Sequence, residues 1–154
     1  MKKVLVSIII ILFSITAFTQ EFKYENGLYY KKGMLYTGTH TEYHGNGKLS
    51  IELNVRNGLE HGNVDFYFET GAKKEHREFN DGKKTGIWVI WDENGAKVAE
   101  ASYKDDLKDG DWYVWNNQGI MLYEMHYTIG KKTGMWRQWD ETGKLIMERE
   151  YHSQ

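Results

Sequence analysis

The sequence contains no cysteine and no proline. Without cysteine the chain forms no disulfides and has no thiol nucleophile. Proline removes a hydrogen-bond donor from a sheet, so its absence suits a continuous β-sheet. Positive charge is also in short supply. Without Lys2 and Lys3, 18 of the 20 basic side chains remain against 22 acidic ones. Nucleic-acid-binding proteins usually have a basic surplus, so this balance argues against that class of partner.

Long hydrophobic runs are absent except at the amino terminus. There Lys2 and Lys3 precede the apolar residues Val4 to Phe18, and the small side chain of Thr19 follows. This order is typical of an export signal. The run is about 15 residues, whereas a membrane span needs about 20. We therefore expect residues 1–19 to be a signal peptide and the protein to be periplasmic or secreted; a retained membrane anchor is the alternative.

The rest of the chain repeats with a period of 24 residues. Residues 82–95 and 130–143 are nearly identical, and residues 106–119 share their spacing of glycine and tryptophan. Thirteen of the 16 glycines fall on three columns at this period. The two complete columns are Gly38, Gly62, Gly86, Gly110, Gly134 and Gly47, Gly71, Gly95, Gly119, Gly143. A period of this length indicates a repeat architecture.

Each repeat contains the signals of one β-hairpin. In the third repeat, Ile87 to Trp91 is rich in aromatic and β-branched residues, which favour a strand. Residues 92–95, Asp-Glu-Asn-Gly, then favour a tight turn. Ala96 to Tyr103 reads as the second strand, and residues 104–109 as the return turn. No segment has the apolar spacing of a helix. The sequence therefore predicts an all-β fold, a single-layer antiparallel meander of tandem β-hairpins.

The domain boundaries follow from the glycine frame. After the signal peptide we expect an N-terminal capping hairpin at residues 20–37, with turns at Asn26-Gly27 and Gly33. Repeat arrays need atypical ends to cover an exposed edge. Five repeats then occupy residues 38–154. Their predicted limits are 38–61, 62–85, 86–109, 110–133 and 134–154.

The repeated pattern is similar to that of a known family. It is Gly-x-Trp-x-x-Trp-x-x-x-Gly, followed after about eight residues by Tyr-Lys-Asp/Asn-Gly-Lys-Lys-x-Gly. This resembles the MORN-repeat variant, found in many bacterial proteins, including those labelled YwqK-type toxin–antitoxin antitoxins. The resemblance spans about Leu28 to Tyr151, although His40 and Val64 replace the first Trp in the first two repeats. It implies a meander of β-hairpins and, for some members, an antitoxin role.

Two columns are aromatic or bulky in every repeat, and we interpret them as the packing columns. The five-position column, counted from the first glycine, is Tyr43, Tyr67, Trp91, Trp115 and Trp139, and the column that ends the second strand is Val55, Phe79, Tyr103, Tyr127 and Tyr151. A ring buries about 150–250 Å². Because a lone hairpin is marginal in water, these rings must pack on neighbouring hairpins.

The three-position column varies from repeat to repeat, as Thr41, Asp65, Val89, Tyr113 and Arg137. Since it meets no need common to all repeats, it is free to be specific. We expect Val89, Tyr113 and Arg137 to form a partner-binding surface centred on Tyr113, on the same face as the five-position column unless a bulge intervenes. The competing interpretation is a column that is simply exposed and free to drift.

No motif supports catalysis or a cofactor. The segment Gly82-Lys83-Lys84-Thr85 lacks the spacing of a phosphate-binding loop, and Asp105 to Asp111 lacks calcium-loop ligands at the required positions. His40, Glu42 and His44 alternate along one segment, but His44 aligns with the hairpin turn. No serine has an elbow motif with matching partners. We expect neither enzyme activity nor a metal site.

Two functions remain. The first is a non-enzymatic, exported β-repeat that binds an unidentified protein partner through one sheet face; the resemblance implies an antitoxin-like or immunity-like form of it. The second is a cell-envelope scaffold whose aromatic side chains contact carbohydrate or lipid, as a peripheral membrane or glycan-binding protein. A neighbouring toxin-like gene would favour the first. Cofractionation with envelope glycans or membranes would favour the second.

The signal-peptide hypothesis predicts that the mature protein begins at Gln20. The positive residues, the apolar run and the small side chains of Ala17 and Thr19 together provide the cleavage signal. Mass analysis of the amino terminus, after expression in a bacterial host, measures this directly. Full-length protein in the membrane fraction would instead identify a retained anchor.

Overall fold

The computed structural model describes residues 22–152, which form thirteen strands and no helix. Ten strands pair antiparallel, in chain order, into one sheet, which confirms the predicted β-meander. These are β4 (Gly38–Tyr43), β5 (Leu49–Arg56), β6 (Leu59–Tyr67), β7 (Lys73–Asn80), β8 (Lys83–Trp91), β9 (Lys97–Lys104), β10 (Leu107–Trp115), β11 (Met121–Thr128), β12 (Lys131–Trp139) and β13 (Leu145–Tyr151). Residues 22–152 include no helix able to cross a membrane. The expected signal peptide and its cleavage site lie outside the described residues.

The five hairpins of this sheet share one turn geometry. In the third, the Asp92 N–H donates to the Ala96 carbonyl at 2.9 Å, and the Asp92 carboxylate accepts the N–H groups of Asn94 and Ala96. A bulge follows, because Ile90 faces Ala99 whereas Trp91 faces Lys97. The same shift occurs in every hairpin. The sequence alone left the hairpin register open, and this bulge defines it.

The return turns between hairpins are two-residue loops with positive φ at both residues. Asn57 and Gly58 have φ of 50° and 80°, as a type I′ turn requires. Each turn also bonds back to the strand before it: Gly82 N–H donates to the Glu60 carbonyl and Gly130 N–H to the Lys108 carbonyl, both at 2.8 Å. Every return turn therefore connects two hairpins and extends the ladder between them.

The first glycine column lies at a second irregularity, in the pairing between repeats. Near Gly110 the register of β9 and β10 shifts, so that Lys108 faces Tyr103 while Trp112 faces Ala101. Gly110 has φ of +103°, and a Cβ there would lie 3.0 Å from the Cβ of Ser102. Both the backbone conformation and the available space therefore require glycine.

The cap differs from the expected hairpin because it has three strands: β1 (Phe22–Glu25), β2 (Leu28–Lys31) and β3 (Met34–Leu35). It covers one face of the large sheet at its first end. Its aromatic residues pack on a small core of Leu53, Val55 and Val64, each less than 10% exposed. The Tyr29 N–H donates to the Gly58 carbonyl at 2.8 Å, which fixes the cap to the first return turn.

We expect Gly110→Ala to lower the free energy of unfolding by about 2 kcal/mol or more, because an L-residue is strained at this φ and its Cβ meets Ser102. Gly119→Ala is the matched control. Gly119 also has positive φ, +76°, but no atom lies within 4 Å of the added Cβ, so the cost should be about 1 kcal/mol. Urea denaturation of both variants measures the difference. Equal losses would mean that the contact with Ser102 has no role.

Candidate functional site

One face of the sheet carries an unbroken run of aromatic rings, which we call the aromatic face. Successive ring centroids lie 4.9–5.5 Å apart, across seven strands. The rings, in order, are Phe79, Trp88, Tyr103, Trp112, Tyr127, Trp136 and Tyr151. Tilted and edge-on contacts at these distances are favourable beyond the area they bury. Each ring is therefore packed by the ring on the next strand.

Polar contacts hold the same run in place. The indole N–H of Trp112 donates to the Ser102 carbonyl at 3.0 Å, and Trp88 and Trp136 make the equivalent bond. A lysine from the return-turn side lies over each Trp–Tyr pair; Lys108 Nζ is 4.0 Å from the ring centroid of Trp112 and 4.7 Å from that of Tyr127. Lysines over aromatic rings add cation–π attraction.

The opposite face carries a transverse row of directly paired side chains, which we call the charged face. The row is Thr41, Glu52, Asp65, His76, Val89, Glu100, Tyr113, Glu124, Arg137 and Glu148. It consists of the variable three-position column alternating with one column from the second strands. Five of its ten members are acidic, so the row is the negative feature of this face.

The charges of the row are bound to one another within residues 22–152. Arg137 donates to Glu124 at 2.8 Å and to Glu148 at 2.7 Å. These carboxylates, Glu148 first, raise the pKa of the guanidinium. At the other end, the buried Asp65 carboxylate contacts His76 Nδ1 at 2.7 Å and accepts a hydrogen bond from Lys73. The row is therefore a preorganised polar network with its own charge pattern.

The structure places the three predicted partner-binding residues in this row, but not equally. Tyr113 is half-buried and its ring lies 5.7 Å from that of Trp115, so these two columns share a face. Burial, with Asp111 nearby, raises the pKa of Tyr113. Arg137 is 35% exposed. Val89 is only 7% exposed, between His76 and Glu100 on the neighbouring strands, which corrects the expectation that it offers a contact surface.

The packing columns also divide between the two faces. Phe79, Tyr103, Tyr127 and Tyr151 lie in the aromatic run, and Val55 lies in the core. The five-position column lies on the charged face, where Tyr67, Trp91, Trp115 and Trp139 are half-buried. Tyr43 is 63% exposed because β4 is an edge strand with no neighbour on one side. Interpretation of Tyr43 as a packing residue is therefore corrected.

Sequence reasoning missed the first Trp column as a packing column. Trp88, Trp112 and Trp136 supply every second ring of the run, and Trp136 is 9% exposed. The signal was present, because Trp recurs two residues after the glycine in repeats three to five. The His40 and Val64 substitutions concealed it, and these two positions are the ones that the cap covers.

The groups weighed above as chemical motifs have structural contacts. Lys84, from the glycine-lysine segment, lies 5.1 Å from the ring of Trp88. Asp106 Oδ1 accepts the Lys84 N–H, and Asp109 Oδ1 accepts the Ile129 N–H in the next turn. His40 stacks on Phe22 at 3.6 Å. Among residues 22–152 no three His, Asp or Glu side chains are arranged to hold a metal ion.

Three segments of the chain, residues 36–57, 84–105 and 132–153, match the family described as MORN repeat variant. Each covers one hairpin with its adjoining turn, and each starts 48 residues after the one before. The first is matched although His40 replaces its Trp. MORN repeats are in general non-enzymatic modules that bind proteins or membranes. Comparison with curated proteins finds no match to the chain.

The aromatic run predicts a difference between two tryptophans of the same hairpin. We expect Trp112→Ala to lower the free energy of unfolding by about 2–4 kcal/mol, because it removes two ring contacts and a hydrogen bond. Trp115→Ala removes one contact, to Tyr113, and should cost about 1 kcal/mol. Urea denaturation compares them. A larger loss for Trp115→Ala would place the main packing on the charged face.

Proposed function

Because this chain is a MORN-repeat variant protein, we propose that it binds a protein partner through the charged face of its third to fifth repeats. The observation that carries the proposal is the difference between the two faces. On the aromatic face the same ring column recurs and its rings contact one another. On the charged face the three-position residue changes in every repeat, and it lies beside half-buried rings.

The chemistry of this face resembles a protein interface. Tyr113 and Trp115 supply adjoining aromatic surface, and Arg137 supplies donors held in place by two carboxylates. Tyr, Trp and Arg are the residue types most enriched among interface hot spots. Side chains that are already ordered lose less conformational entropy on binding. The surface is therefore suited to a partner with its own defined structure.

Charge indicates the kind of partner. In repeats three to five the charged face carries Glu100, Glu124 and Glu148, and only Arg137 and Lys97 balance them in that part of the row. Complementary potentials speed association and suppress wrong partners. A partner with a basic patch beside an apolar pocket for Tyr113 fits this arrangement.

The proposed setting is the cell envelope, since residues 1–19 have the order of an export signal. A non-enzymatic binder that neutralises an exported toxin would fit the antitoxin-like or immunity-like role of related repeat proteins. The alternative, an envelope scaffold that contacts carbohydrate or lipid, would use the exposed edges of the aromatic face. The two functions therefore place binding on opposite faces of one sheet.

The experiment replaces Tyr113 and Arg137 with Ala together and measures capture of partners from the envelope of the source cell, identified by mass spectrometry. We expect at least a tenfold loss of the captured protein, because an aromatic anchor and a set of hydrogen-bond donors are removed. The matched control is Tyr123→Ala with Arg149→Ala, which makes the same two changes on the aromatic face. Both double variants should keep similar melting temperatures.

If the control pair abolishes capture and the Tyr113 and Arg137 pair does not, binding uses the aromatic face. Glycans or lipids captured in place of a protein would support the envelope scaffold.

A further inference from the structure

A cavity of about 190 Å³ lies between the cap and the second repeat. It is on the aromatic face, at the point where the run of rings stops. Val64 stands there in the column that holds Trp88, Trp112 and Trp136. The cavity therefore occupies space that an indole fills in the later repeats. Phe22 and Tyr29 of the cap form one side of it, and Phe66 and Phe79 form the other.

The second repeat also lacks the lysine that accompanies each Trp. Lys84, Lys108 and Lys132 form one column, and their Nζ atoms lie 4.0–5.3 Å from the centroids of the adjacent rings. The residue at this position in the second repeat is Glu60, which lines the cavity. The site therefore has aromatic walls and a carboxylate where the other repeats place an ammonium group between rings.

The charges around the cavity leave a negative surplus. Glu60 accepts a hydrogen bond from the Tyr29 hydroxyl at 3.2 Å, and no ion pair to Glu60 forms within residues 22–152. Burial, followed by the Glu60 charge, raises the pKa of Tyr29 to about 12, so its hydroxyl remains a donor. Arg77 also lines the cavity, but its two hydrogen bonds at 2.6 Å and 2.9 Å go to Glu75.

A second carboxylate lies at the entrance. Glu42 is 55% exposed, and its Oε1 is 3.3 Å from His40 Nε2. The imidazole of His40 stacks on Phe22 and so completes the aromatic wall. An approaching cation thus meets Glu42 first and Glu60 deeper in the cavity. Ring faces together with a carboxylate are the surroundings that proteins use to hold organic cations.

We propose that this cavity binds a primary alkylammonium group, supplied by a lysine side chain of a partner polypeptide. The chain's own repeats are the template. Three of them seat a lysine ammonium against a Trp and a Tyr, and the second repeat has rings and carboxylates but no lysine of its own in that position. This site lies on the face opposite the proposed protein interface, so it stands or fails independently of that proposal.

The test is a titration of the ¹⁵N-labelled protein with two probes, n-pentylammonium chloride and the blocked tripeptide acetyl-Gly-Lys-Gly-amide, at pH 7. We expect shifts of the backbone amides of Phe22, His40 and Val64, with a Kd in the millimolar range. The acetylated-lysine form of the tripeptide, which has no charge, should bind at least tenfold more weakly. Binding of the pentylammonium ion alone would overturn a lysine as the ligand, and binding of neither probe would overturn the site.

Two variants that copy the later repeats provide the specific test. Glu60→Lys restores the repeat's lysine, and Val64→Trp restores its indole; each should abolish binding of both probes. Glu60→Gln keeps the shape and should weaken binding at least fivefold. Glu52→Gln is the matched control, because Glu52 lies on the other face of the same sheet and should leave binding unchanged. If Glu60→Lys and Glu60→Gln both bind like the wild type, or if Glu52→Gln alone reduces binding, the proposal is wrong.

Discussion

Contact between an aromatic ring on one strand and the ring on the next is the interaction on which the rest of this structure depends. A single hairpin is marginal in water, and a single-layer sheet has no second layer to cover it. Among residues 22–152 no large side chain is completely buried. Burial is therefore lateral: Tyr103, for example, packs between Trp88 and Trp112. Stability of this kind is a sum over neighbours, as in other repeat proteins.

Lateral packing also explains why the repeat tolerates no insertion. Rings on successive strands touch only if each turn returns the chain to the same height on the sheet. Two devices of constant length do this, the bulged hairpin turn and the two-residue return turn. One extra residue in either would move the ring column to the other face, because side chains alternate along a strand. The invariant glycines are thus part of the same constraint as the rings.

The fold was predictable from the sequence because its signals are repeated five times. Glycine spacing gives the turns, and the ring columns give the strands. The assignment of faces was not predictable, because it depends on irregularities. Trp88 and Trp91 are equally aromatic, and the bulge in the second strand decides which of them meets Tyr103. Val89 shows a related limit: a position can vary between repeats and still be buried by its cross-strand neighbours.

The division of labour between the faces has an energetic basis. A change in the aromatic run removes contacts on both sides, so each ring constrains the next. A change in the charged row alters ion pairs that are half-exposed, and such pairs contribute little to stability. Glu100, for instance, pairs with Lys97, whereas Glu124 in the next repeat pairs with Arg137. The same backbone position thus accepts different partners without loss of the fold. A single-layer repeat can therefore keep its stability on one face and vary its recognition on the other, since the two sets of side chains alternate along every strand and never compete for the same position.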